Sequence, residues 1–457
     1  MDIKTLLKER DVTQGSILKN ILAMTWPLWF NSGVWIIFSG LNIYWVSKIG
    51  TDALAAVTAG GVGYMLLMTP VLGIVTSVYG LIGNLAGVKD WVGAERKAKE
   101  IMAITWFLSL AVAFLGYFFA PILLKFIGIE EKVLVLAVTY LRIQAVGGII
   151  SFSLWVINTI IRSSGDMMRP MAVMFIVIVL NIVFDWFFIL GNLGFPRWEV
   201  AGAAFASAAS ASVGAVIGFG ILVWGNSPIK INLKEWRGFK INLLTLKEVF
   251  KIAGFDVLEM SGKVVIDLLL LRCIAFWGTA SVAVYGIGQR LLKMSSTGGY
   301  DLGMTTAIVM ANNLGAGKKY RAERSAWFGT ALNIFIMAIA GLAFFIFADK
   351  VMGFYSGDPQ VVDIGINYLK ITAFGYLFIA MTVVLRRAFA GAKNTRIPAL
   401  VTLLIMGIGQ IGLAVYLPKI FGLGVAGVWW AILIATTING LILAALFKFK
   451  PSLWKRN

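Results

Sequence analysis

Asn84-Leu-Ala-Gly87-Val-Lys-Asp-Trp-Val-Gly-Ala94-Glu95-Arg96 returns 228 residues later as Asn312-Asn-Leu-Gly315-Ala-Gly-Lys-Lys-Tyr-Arg-Ala322-Glu323-Arg324. Asn, Gly and the Ala-Glu-Arg triplet keep register without a gap. Outward from this stretch the same offset persists. Gly50-Thr51 recurs as Gly278-Thr279, Tyr140-Leu141-Arg142 as Tyr368-Leu369-Lys370, and Pro170 as Pro398. A repeat of half the chain, rather than of 20–50 residues, argues for two similar lobes and against a solenoid.

The medium of those lobes follows from composition. The chain is 59% hydrophobic and 14% charged, with a mean hydropathy of +0.87, whereas soluble domains carry about 25% charged residues. Apolar runs long enough for a hydrocarbon core of about 30 Å recur from end to end. Spans are expected near 19–47, 53–86, 98–126, 133–161, 169–191, 200–225, 249–277, 281–313, 325–349, 361–385, 398–418 and 424–447. The expectation is an all-α integral membrane protein, with twelve transmembrane helices in two pseudo-symmetric six-helix lobes. The lobes are expected at 1–225 and 248–457, joined by a polar, basic cytoplasmic linker at 226–247. Pro27, Pro70 and Pro121 are expected to kink or end helices. The polar start lacks the apolar core and small-residue cleavage site of a signal peptide.

The 40 Lys and Arg residues test the topology. With the N-terminus inside, 28 fall in inside segments or the adjoining span ends, and six in outside loops. The inside groups include Lys89, Arg96, Lys97 and Lys99 after span 2 and Lys318, Lys319, Arg321 and Arg324 after span 8. Arg386 and Arg387 are counted with the group that follows span 10. This asymmetry predicts a plasma-membrane protein with both termini cytoplasmic. It also accounts for the +18 charge by attraction to anionic headgroups, so no nucleic-acid partner is expected. A monomer is expected.

The chain has no histidine and one cysteine, Cys273. Ser-His-Asp and Cys-His catalysis, histidine relays, zincin-type sites and intrachain disulfides are thereby removed. An enzyme would lack its usual tools, and no cofactor is expected.

Charges inside spans cost roughly 2.5–3.5 kcal/mol each and call for a reason. In the first half Glu100 is placed at the mouth of span 3, within reach of water. The other carboxylate is Asp185, with Asn181 one turn before it on the same face. Burial disfavours the charged form of a carboxylate, so Asp185 can exchange a proton near physiological pH. With amide and hydroxyl oxygens around it, Asp185 can instead hold Na⁺. The alternative is a helix-end carboxylate bonded to water. In the second half Asp256, Glu259, Lys263 and Asp267 form a stripe on span 7, and Arg290, Lys293 and Asp301 lie on span 8. These charges line a polar half-cavity, or else form a self-neutralising network that holds spans 7 and 8 together.

The motifs together resemble those of the multidrug and toxic compound extrusion (MATE) transporters, most closely the DinF-like branch. They are Gly-Asn-Leu-Ala-Gly followed by Ala94-Glu95-Arg96 and its repeat, Ile-Arg162-Ser-Ser-Gly165-Asp166-Met-Met-Arg-Pro170, and Asn181-(3)-Asp185 running on to Ser207. The resemblance implies a two-lobed secondary antiporter that exports small organic or amphiphilic substrates in exchange for H⁺ or Na⁺. It further implies a cation site made by a span-1 Asp, the span-5 Asn and Asp, and a span-6 Thr. Here the span-5 pair matches Asn181 and Asp185, Ser207 stands close to the place of the Thr, and Asn42 stands at that of the Asp. Asn42 is a departure, because it leaves the site one carboxylate short. A flippase for a lipid-linked substrate, with a basic groove open to the bilayer, is the alternative function. A receptor or scaffold would need no polar stripes.

Overall fold

The computed structural model describes residues 10–126, 128–225, 227–236 and 242–454. Six long helices make up the first half: α1 (Ile17–Ser47), α2 (Thr51–Gly87), α3 (Trp91–Phe126), α4 (Glu131–Ser163), α5 (Met168–Phe188) and α6 (Glu199–Trp224). The second half runs through α7 (Leu243–Ala275), α8 (Thr279–Gly315), α9 (Lys319–Ile346), the short α10 (Ala348–Tyr355), α11 (Pro359–Thr372), α12 (Gly375–Gly391), α13 (Arg396–Ile420) and α14 (Val425–Phe449). Helices are the expected outcome, since a chain in lipid must satisfy its backbone hydrogen bonds within each segment.

Among the described residues, nine helices are long and apolar enough to cross a membrane, and α11 with α12 forms a tenth, bent span. The charges and polar residues of α7 and α8 keep those two below that level, and they complete a set of twelve. The expected span 10 differs in two ways. It breaks by 54° between Thr372 and Gly375, where the backbone of Ala373 lies so close to Gly341 of α9 that a Cβ there would sit 2.8 Å from the Ala373 carbonyl. It also continues to Gly391, so Arg386 and Arg387 are inside the helix rather than after it. Pro27, Pro70 and Pro121 each lie within one continuous helix and end none of them. Helix α3 starts at Trp91 rather than near 98. Glu100 is therefore about two and a half turns inside; it is 3% exposed and its Oε2 has no hydrogen-bond partner. The expectation that it reaches water is corrected.

The duplication is visible in the backbone. Gly50 and Gly278 precede α2 and α8 at φ +145° and +97°, the positive region that glycine enters without strain. A Cβ on Gly60 would strike the ring of Tyr140, and one on Gly288 would strike the ring of Tyr368. These four residues are two copies of one contact, which lets α2 lie against α4 and α8 against α11.

Two compact units divide the chain: Met1–Val12 with Trp26–Gly254, and Thr13–Thr25 with Phe255–Asn457. The expected boundaries at 225 and 248 are therefore not where the contacts divide, and α7 begins at Leu243, inside the expected linker. Positions 226 and 237–241 of that linker lie outside the described residues. Lys318 Nζ donates to the Thr13 carbonyl (2.9 Å) and Arg321 Nη2 to the Gln14 carbonyl (2.8 Å), which ties 13–25 to the second unit. The core of the first unit joins Val46, Ala56, Leu124, Leu141, Ile189 and Ala204. That of the second joins Leu270, Ile274, Val284, Met352, Leu369 and Trp429.

Candidate functional site

In the first unit, α5 carries Asn181 and Asp185 one turn apart, and both are buried. Asp185 is 0% exposed. Asn42 of α1 donates from Nδ2 to Asp185 Oδ2 at 2.8 Å, a bond to a carboxylate worth about 1.5–3 kcal/mol. Asn181 Nδ2 donates to Ser210 Oγ at 2.8 Å, and Ser210 Oγ donates to the Ser207 carbonyl at 3.1 Å. Tyr140 of α4 lies within electrostatic reach of Asp185, and Gln144 Nε2 donates to its hydroxyl at 3.2 Å. Two acceptors are left over: Asp185 Oδ1 and Asn181 Oδ1 are buried without a partner.

Three of the four expected residues are thus brought together. Ser207 enters through its main chain, and the hydroxyl on Asn181 belongs to Ser210, one turn further along α6. Both serines share a helix face, and the helix rotation selects between them. One carboxylate with amide oxygens around it suits a proton or a monovalent hard cation. No group of three or more His, Cys, Asp or Glu able to hold a metal occurs among the described residues.

Near the start of α5, Asp166 accepts from the backbone N–H groups of Met168 and Arg169 (both 3.1 Å) and pairs with Arg169 Nη1 at 2.7 Å. Burial pushes its carboxyl up from the ordinary range, while these bonds pull it back. This arrangement serves the helix start.

The second unit contains a cavity of about 150 Å³. Glu259, Lys263 and Asp267 of α7 line it, as the span-7 stripe predicts. The wall from α8 is Tyr285, Gln289, Leu292, Ser296 and Tyr300. Arg290, Lys293 and Asp301 do not line it, because each sits one residue, about 100°, off that wall; Arg290 and Lys293 are exposed and Asp301 half-buried. Asp256 is buried outside the lining, with Arg387 Nη1 at 3.9 Å. Glu259 accepts from Arg386 Nη1 at 2.7 Å. The two buried carboxylates Glu259 and Asp256 of α7 therefore both face arginines of α12.

Two irregularities converge on the cavity. The α11–α12 break contributes Tyr368, Thr372, Gly375 and Tyr376, and the π-helical stretch Leu403–Gln410 of α13, with Thr402 just before it, contributes Met406 and Gln410. Isolated π segments in helices frequently mark functional sites. Sequence reading missed Ser210, Tyr140, Arg386 and the cavity tyrosines. The last could have been found as an aromatic–amide stripe at spacings of 4, 3, 4 and 4 beside the span-8 charges.

A family model described as MatE matches residues 27–187 and 257–415. The "Probable multidrug resistance protein YpnP" of Bacillus subtilis is 24% identical over 83% of this chain and 83% of its own length. The "FAD transporter" of Shewanella oneidensis is 25% identical over 78% of this chain and 77% of its own. Among solved structures, a MOP superfamily transporter from Pyrococcus furiosus, described as having a binding pocket of reverse polarity that suggests a different function, is 22% identical with a TM-score of 0.88, covering 98% of both chains. An outward-facing multidrug resistance MATE transporter is 21% identical with a TM-score of 0.85, covering 98% of this chain and 99% of its own. These two likenesses concern the fold.

Proposed function

Since the chain belongs to the MatE family of multidrug efflux transporters, we propose that it is a secondary antiporter exporting amphipathic organic compounds in exchange for H⁺ or Na⁺, with Asp185 as the coupling carboxylate. The supporting observation is the half-satisfied buried acid. Oδ2 takes the Asn42 amide while Oδ1, like Asn181 Oδ1, has no donor. A buried charged acceptor without a partner is costly. A proton taken up at Oδ1 removes the charge and turns that atom into a donor; Na⁺ would draw on the same oxygens. Either way, loading alters what α1, α5 and α6 hold between them. A two-state carrier responds only to such a differential interaction.

The distribution of Lys and Arg supports a cell-membrane orientation with both termini cytoplasmic, and a monomer is proposed as the working unit. A flippase would call for a basic groove. The cavity of the second unit sets Lys263 and Arg386 against Glu259 and Asp267, a balanced set that favours antiport of a small compound. The test is uptake of amphipathic dyes by everted vesicles and proteoliposomes under imposed pH or Na⁺ gradients. Asp185→Asn is expected to abolish gradient-driven uptake while the protein stays folded; uptake equal to wild type would refute the coupling role.

A further inference from the structure

We propose that the cavity of the second unit is a binding site for a small aromatic zwitterion, a molecule with an α-ammonium carboxylate head and one aromatic group. The proposal rests on the transporter reading above and names the substrate class of this unit. Four observations carry it.

The first is the charge left over. Glu259 and Arg386 neutralise one another at 2.7 Å. Lys263 and Asp267 also face the cavity, within electrostatic reach of each other, and neither makes a hydrogen bond or a close ion pair with any described residue. The cavity therefore offers one uncommitted cation and one uncommitted anion. An anionic ligand would leave Asp267 unanswered, and a cationic ligand would leave Lys263 so. A zwitterion answers both, which matters where water is scarce and an unpaired charge is costly.

The second is spacing. Lys263 and Asp267 are four residues apart on α7, hence about 6 Å along one face. A compact head with its two charged groups on one carbon can meet both groups at once, whereas a long zwitterion with distant charges cannot.

The third is the body of the site. Tyr285, Tyr300, Tyr368 and Tyr376 line the cavity, with Ile266 and Leu270 beside them. Their ring faces suit an aromatic ring and a bound ammonium alike. The volume of about 150 Å³ corresponds to on the order of ten water-sized positions, room enough for a ligand of the bulk of an aromatic amino acid.

The fourth is unspent hydrogen-bonding capacity. Thr402 Oγ1 and Asn439 Oδ1 are buried without a partner, and both residues line the cavity. Asn439 is 0% exposed, and its Nδ2 donates to Thr382 Oγ1 at 3.3 Å, leaving the amide oxygen for a ligand donor. The helix break and the π segment that open this space are absent from the first half. There α4 is continuous through the position matching the break, and α5 is α-helical through the position matching the π segment.

The experiment is equilibrium binding of radiolabelled L-tryptophan to the purified full chain in detergent, with tryptamine and indole-3-propionate as probes of each charge alone. Saturable binding of tryptophan is expected, with both single-charge probes at least tenfold weaker. Lys263→Met should weaken tryptophan at least tenfold and leave tryptamine no weaker. Asp267→Asn should weaken tryptophan similarly and leave indole-3-propionate no weaker. Lys263→Arg and Asp267→Glu, which keep the charges, should stay within about threefold of wild type, separating loss of charge from loss of fold. The proposal is overturned by absence of saturable tryptophan binding to wild type, by equal binding of all three probes, or by indifference to both charge variants. ²²Na⁺ binding that disappears in Asp267→Asn without tryptophan binding would overturn it as well, by making the cavity an ion site. Binding at equilibrium needs no gradient. Intact tryptophan binding without gradient-driven transport would therefore count against the antiporter alone, and transport without tryptophan binding against this inference alone.

Discussion

Arg386 Nη1 donates to Glu259 Oε1 across 2.7 Å, and the positions 228 residues earlier in the repeat, Asn158 and Asn31, are two buried asparagines whose amides have no partner. The converse holds at the other polar centre. Asn42, Asn181, Asp185 and Ser210 correspond to Leu270, Gly409, Leu413 and Ile438. Duplication supplied one scaffold twice, and each copy carries its polar cluster where the other is apolar or neutral. The centre built on Asp185, with one carboxylate among amides and a hydroxyl, is suited to take up an ion. The half with paired and uncommitted charges around a cavity is suited to hold an organic molecule.

Breaking the Glu259–Arg386 pair from one side leaves a buried charge uncompensated, at a cost of about 3–5 kcal/mol. Glu259→Asn and Arg386→Asn should each lower the melting temperature in detergent markedly. The double variant, which copies the asparagine pair of the first half, should melt well above the sum of the two losses. Additive losses would mean that the two residues are not coupled.

Gly60 and Gly61 are neighbours in α2, yet a Cβ on Gly60 meets the Tyr140 ring and one on Gly61 meets nothing within 4 Å. Gly60→Ala is expected to destabilise by about 1–3 kcal/mol through overpacking. Gly61→Ala should be neutral or stabilising, by up to about 1 kcal/mol from helix propensity. Thermal melting of the two variants, measured side by side, checks the contrast.

Around Asp185 the hydroxyl that supports Asn181 belongs to Ser210, not Ser207. Ser210→Ala should slow gradient-driven transport several-fold, and Ser207→Ala should leave it near wild type. Equal effects in the vesicle assay would show that the two hydroxyls are interchangeable.

Asn42→Asp would set a second carboxylate against Asp185. Like charges at hydrogen-bond distance raise the affinity of one of them for a proton. The protonated form then persists to higher pH, so the pH of half-maximal transport should move upward by about one unit or more. An unchanged pH profile would place the coupled proton elsewhere.

The membrane character, the twelve helices and the internal repeat were legible in the chain because each is a property of composition and period. Apolar runs must span, and residues at equal offsets must repeat their contacts. The gathering of Asn42, Asn181 and Asp185 was legible as well, since the last two lie one turn apart and the resemblance to MATE transporters pointed to the first. Helix phase and ends were not. Spans ending in basic residues read as stopping early, which put Arg386 and Arg387 in a loop when they serve as buried partners of Glu259 and Asp256.

Sequence alone determined which segments leave water and which side chains would be costly there, because the transfer energy of a residue depends on its chemistry and not on its neighbours. Tertiary structure alone decided which costly groups meet. A rotation of α8 by a single residue separates Tyr285, Gln289 and Tyr300, which face the cavity, from Arg290 and Lys293, which do not. On α8 a charged stripe and an aromatic–amide stripe lie side by side, so polarity alone leaves that angle unmarked. It is set by packing against other helices, as Gly288 is held against Tyr368.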